Sequence, residues 1–128
     1  MKQLILLLVL LTSYNCYAQH NADAIIGKWL KIPKEDLIIE VYKTKDEYKG
    51  KIAWSKNNDR KKPIGFVILD ELRYNLKSKK WENGKIHDPA SGKTYTATAK
   101  LKSNGLLEVS GYMGFSFLGT KRSFRRAK

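Results

Sequence analysis

Apolar and polar residues alternate along most of this chain, and the period is two. Over 37–43, Leu37, Ile39 and Val41 share one face while Ile38, Glu40 and Tyr42 take the other. Over 48–54, Tyr48, Gly50, Ile52 and Trp54 form an apolar face against Lys49, Lys51 and Ser55. Successive side chains of a strand point to opposite sides, so both runs predict strands buried on one face. A first strand is predicted over 26–32, ahead of them. The polar, basic run 55–63 predicts a loop, and 64–69 a strand with both faces apolar, its alternation continued by Leu72, Tyr74 and Leu76. The charged stretch 77–80 is a turn. After it, Tyr95, Ala97, Ala99 and Leu101 alternate with Thr94, Thr96, Thr98 and Lys100, and strands over 106–113 and 115–126 complete the chain. A short helical period is confined to 21–26.

About eight short strands with turn signals between them make an all-β protein. They suit an up-and-down antiparallel β-barrel or a sandwich, and the barrel is preferred because closure removes the exposed edges that invite aggregation. Ser103-Asn104-Gly105 predicts a hairpin, since Asn-Gly readily takes the two positive φ angles of a type I′ turn. Ala97 and Ala99 on an inward face suit either a crowded interior or one that leaves room for something else.

The densest turn chemistry lies in 81–95, WENGKIHDPASGKTY. Asp88 is placed to accept hydrogen bonds from backbone N–H groups, Pro89 presets φ, and Gly92 supplies a left-handed position ending a four-residue loop. Asn83-Gly84 is a second tight turn or a kink in a strand. Trp81, Ile86 and Tyr95 flank these turns, with Tyr95 expected to point into the barrel. His87 and Asp88 invite an acid–base reading, but adjacent strand residues face opposite ways and do not meet.

Composition adds a compartment. Lys2, the unbroken apolar run 4–11 and a small residue at Ala18 read as a secretory signal peptide over 1–18, too short to span a bilayer as a helix. Its removal takes away Cys16, the one cysteine, and leaves a single domain, 19–128, with no disulfide although it is exported. Loss of Lys2 with the leader lowers the net charge from +13 to +12. That excess favours anionic surfaces or simply keeps lysine-rich strands soluble. Two histidines, His20 and His87, with no mature cysteine give no zinc site of the usual spacing, and there is no phosphate-cradling glycine loop. Neither a metal nor a cofactor is called for.

Gly27-x-Trp29 at the opening of the first strand, with Arg126 near the end of the last, resembles the lipocalin-like barrels, in which an arginine lies across that tryptophan and closes one end. A cation–π contact supplies the physical reason. The wider set of motifs is Gly27-x-Trp29, 50–54, Trp81-x-x-Gly84-x-Ile86-x-Asp88-Pro89-x-x-Gly92-Lys93-x-Tyr95, Gly111-Tyr112-x-Gly114, Leu118-Gly119 and a terminal aromatic-x-arginine. It resembles, in order, the bacterial exported family called domain of unknown function 2147. The resemblance implies a lipocalin-like barrel without established activity. It makes Trp29, Gly84, Asp88, Pro89, Gly92 and Arg126 structural motif residues. The chain departs from the family where many members carry a cysteine pair and this one has Thr44 and Tyr48, and its terminal motif is Phe124-Arg125-Arg126.

Two functions fit. The first is a binding module for a small, largely apolar ligand, its lining drawn from Trp54, Trp81, Tyr95, Tyr112 and Phe117. The second is a solid basic barrel that contacts anionic lipid or polysaccharide of the envelope through loop lysines such as Lys56, Lys61, Lys62 and Lys77. An enzyme ranks below both, and export argues against nucleic acid.

Overall fold

Alternation is realised as eight antiparallel strands that close on themselves. The computed structural model describes residues 21–113 and 116–127, with side chains from 113 and 116–119 not among those described. The predicted leader with Cys16, His20 and the Phe117 side chain lie outside the described residues. The strands are β1 (Gly27–Ile32), β2 (Leu37–Thr44), β3 (Glu47–Ser55), β4 (Val67–Asn75), β5 (Lys80–His87), β6 (Thr94–Leu101), β7 (Leu107–Met113) and β8 (Ser116–Arg126). Each pairs with the next, and β8 returns to β1 with Trp29 opposite Arg126. A 3-10 helix, Asp23–Ile25, precedes β1.

Up-and-down order puts the β2–β3, β4–β5 and β6–β7 turns at one end, together with the 3-10 helix. The connections 33–36, 56–66 and 88–93 lie at the other. Inward positions hold Trp29, Ile39, Val41, Tyr48, Ile52, Leu72, Trp81 and Leu107, all buried. Ala97 and Ala99 are buried too, opposite Gly84 and Trp81 respectively. Neither alanine lines the cavity described below, and Ala99 stands beside the buried Trp81, which fits the crowded-interior reading of these alanines.

The structure departs from simple alternation at bulges. On β3 the register slips where Ile38 faces Trp54 and Ile39 faces Ile52, leaving Ala53 as an extra residue. One extra residue reverses which face follows. Trp54, expected inside, is therefore 42% exposed, and Ser55 is buried in its place. On β5 the step from Trp81 to Gly84 opposes the shorter step from Ala99 to Ala97, with Asn83 at φ 58°. Asn83-Gly84 is thus a kink within a strand and not a turn. β4 starts at Val67, later than its apolar run suggests, so Ile64 is exposed in the preceding loop, and Leu76 is exposed beyond the other end. The 103–105 hairpin also differs from a type I′ turn. Gly105 has φ 84° while Asn104 keeps a negative φ, and the Asn104 Oδ1 accepts from the Leu106 N–H at 3.1 Å. A three-residue loop with a glycine bulge matches strand twist equally well.

Candidate ligand cavity

One end of the barrel is sealed by the segment 22–26, which five side-chain hydrogen bonds hold across it. The Trp29 Nε1–H donates to the Ile25 carbonyl at 2.9 Å, and the Trp81 Nε1–H to the Ala22 carbonyl at 2.9 Å. The Tyr48 hydroxyl donates to Asp23, and burial together with that carboxylate pushes the phenol's pKa well up. Arg126 donates to the carbonyls of Ile26, at 2.8 Å, and of Ala24. Its guanidinium carbon lies 4.1 Å from the centroid of the fully buried Trp29 ring. Burial lowers the Arg126 pKa, but an arginine stays charged regardless. Gly27 is required here: at φ 133°, a Cβ would sit 2.7 Å from the Arg126 Nη1.

The other half of the barrel is hollow. A cavity of about 320 Å³ opens at that end, walled by the apolar side chains of Ile39, Ile68, Leu69, Ile86, Val109 and Phe124. Tyr95, Gly111 and Thr120 contribute to the lining, and three charged residues, Lys31, Asp88 and Arg122, belong to it as well. The volume falls at the lower end of the range usual for small-molecule sites.

The three charges differ in what already satisfies them. The Lys31 Nζ lies 3.3 Å from Asp36, which also accepts from the Lys62 Nζ at 2.8 Å. That Lys62 bond, with help from Lys31 and against the opposing effect of burial, brings the Asp36 pKa down to about 2. Asp88 is engaged by its own loop, where its carboxylate accepts from the Ser91 hydroxyl at 2.8 Å and the Ala90 N–H at 3.0 Å. Those two bonds hold its pKa below the usual carboxylate range. Around it, the Gly92 N–H bonds the Asp88 carbonyl at 2.8 Å, with Gly92 at φ 74°. Among the described residues Arg122 has no such partner, and its side-chain bond there runs to the carbonyl of its neighbour Lys121, at 3.2 Å.

Of the residues singled out as lining, the structure brings Tyr95 to the cavity. Trp81 is core, its ring 4.9 Å from that of Tyr74 and its N–H spent on the sealing segment. Trp54 faces outward through the β3 bulge. Tyr112 pairs with the exposed Thr96, on the face opposite to Val109 and Gly111, and so points away from the cavity. Lys31, Phe124 and Arg122 were missed as lining. Counting back from Arg126 in steps of two gives Phe124, Arg122 and Thr120 on the inward face, a signal present in the sequence.

His87 does not meet Asp88. On the outer surface its Nδ1 lies 3.0 Å from the Thr94 hydroxyl and its Nε2 3.4 Å from Asp70. The chain hydroxyl–imidazole–carboxylate has the connectivity of a nucleophile and its base, but Asp70 is also bonded to Lys49, and neither His87 nor Thr94 lines the cavity. The arrangement serves as a cross-strand tie among β4, β5 and β6. Among the described residues no group of three or more His, Cys, Asp or Glu side chains is placed to hold a metal, and no helix is long and apolar enough to cross a membrane.

Eight strands in up-and-down order, one end closed by an arginine over a tryptophan and an apolar cavity at the other, define a lipocalin-like barrel. The chain belongs to the family described as "Uncharacterized protein conserved in bacteria (DUF2147)", whose model matches residues 27–126. Among solved structures it is similar in fold to protein HP1028 from Helicobacter pylori, described as belonging to the lipocalin family. The identity is 17%, the TM-score 0.63, and the match covers 81% of this chain and 83% of that one. No curated relative matches.

Proposed function

We propose that this is an exported binding module that takes one small, largely apolar molecule into the open half of its barrel. The observation that carries the reading is the division of the barrel interior. Indoles, Tyr48 and alanines fill one half, while the other keeps about 320 Å³ behind an apolar wall. Eight strands enclose just enough space for their own side chains or for one small ligand, and here the outcome differs between the two halves. Export rests on the leader-like 1–18 segment. The lipocalin-like fold supports a binding role without naming a ligand.

Native mass spectrometry of the protein purified from its own envelope, followed by solvent extraction, tests this. A reproducible small molecule at close to one per chain is the expected result. A bare chain that also fails to take up short-chain alcohols would overturn it.

A further inference from the structure

Building on that binding role, the charges around the cavity say more about the ligand than its apolar wall does. All twelve Asp and Glu residues of the chain lie among the described residues, so each has a known place. None is within ion-pair distance of Arg122, although Arg122 stands opposite the inward-facing Val109 and belongs to the cavity lining. An arginine offers five N–H donors in a rigid fork. The Lys121 carbonyl occupies one of them. The other two charges at the site already have partners, Lys31 in an ion pair with Asp36 and Asp88 within its own loop. The cavity therefore presents an apolar wall and one solvent-exposed guanidinium that no Asp or Glu side chain satisfies.

We infer that the ligand is a short-chain amphiphile with a carboxylate head, and that Arg122 is the residue that binds this head. The planar fork matches a single carboxylate through two parallel hydrogen bonds. A doubly charged phosphate fits less well, because the second cation, Lys31, is committed to Asp36 and the Asp88 carboxylate adds negative charge to the lining. Size follows from volume. At the roughly 30 Å³ that one water takes up in the liquid, the cavity accepts about ten heavy atoms. Octanoate is of that size, and octanol is its uncharged match.

Both are titrated calorimetrically near neutral pH into the wild-type chain, Arg122→Gln, Arg122→Lys and Lys121→Gln. Lys121→Gln removes the same charge one residue away on the outer face. The ratio of the octanol to the octanoate dissociation constant is expected to fall tenfold to about a hundredfold in Arg122→Gln, the range for hydrogen bonds to a charged group. It should fall less in Arg122→Lys and stay within twofold in Lys121→Gln. Unchanged unfolding midpoints for the Arg122 variants show that the loss is local. If both compounds bind and the ratio is the same in Arg122→Gln as in wild type, the cavity binds ligands but the anionic head is wrong. An equal fall in Lys121→Gln also overturns the inference, since general attraction to a basic protein then explains the preference. Failure of both compounds to bind the wild-type chain removes the binding reading itself.

Discussion

Replacing Trp29 by alanine is expected to lower the unfolding free energy by about 4 kcal/mol, in the range for large buried aromatics. The indole is fully buried, and its loss opens a hole where β1, β2 and β8 meet. It also breaks the bond to the Ile25 carbonyl and takes away the ring beneath the Arg126 guanidinium. A domain of this size has about 5–15 kcal/mol in total, so much of its stability is at stake. Trp29→Phe keeps an apolar ring under the cation and gives up the N–H, so a loss of about 1–2 kcal/mol is expected. Urea unfolding followed by circular dichroism measures both. A loss below about 1 kcal/mol for Trp29→Ala would show that the sealed end does not hold the barrel together.

Two glycines that flank Ala97 on neighbouring strands, Gly84 against the core and Gly111 against the cavity, should respond differently to one added methyl group. A Cβ on Gly84, which does not line the cavity, would lie 2.4 Å from the Leu72 Cδ2 and 3.0 Å from the Asp70 carbonyl oxygen. The backbone oxygen cannot step aside as a side-chain tip can, so Gly84→Ala is expected to cost about 2 kcal/mol. At Gly111, in the cavity half, the nearest atom to a new Cβ is the tip of Ile86, at 3.0 Å, and Ile86 borders open space into which it can turn. Gly111→Ala should therefore cost no more than about 0.5 kcal/mol, as a change away from tight packing does. Neither glycine has a positive φ, so backbone strain does not cloud the comparison. Equal costs, measured as unfolding midpoints at constant slope, would mean that the cavity wall at Gly111 is packed as tightly as the core at Gly84.

Strand number, order and closure were legible because alternation depends on single residues whose inward or outward preference is unambiguous, as with Leu37, Ile39 and Val41. The loop 88–93 was legible for a related reason. Asp88, Pro89 and Gly92 each favour one backbone geometry, and the three agree. What escaped the sequence depended on relations between distant residues. Nothing near Trp54 announces that Ala53 is an extra residue, and the bulge shows only in the register against Ile38 and Ile39. Trp81 looks as suited to a ligand as to a core until its N–H is seen to meet Ala22, fifty-nine positions away. Segment 22–26 gave only a weak helical signal, because its role comes from Trp29, Tyr48, Trp81 and Arg126 converging on it. Nothing local sets Arg122 apart from the other basic residues, and its meaning depends on the inward register of β8 and on the placement of the Asp and Glu side chains.

In the proposed binding mode one half of the barrel is closed and filled while the other receives an apolar chain. A crystal structure of the protein grown with a bromine-tagged octanol, located by the anomalous signal of the bromine, tests this most directly. One strong peak is expected inside the barrel, between Leu69 and Val109 and on the open side of Trp29. A peak confined to the outer surface, or a barrel whose open half is occupied by the protein's own side chains, would contradict it.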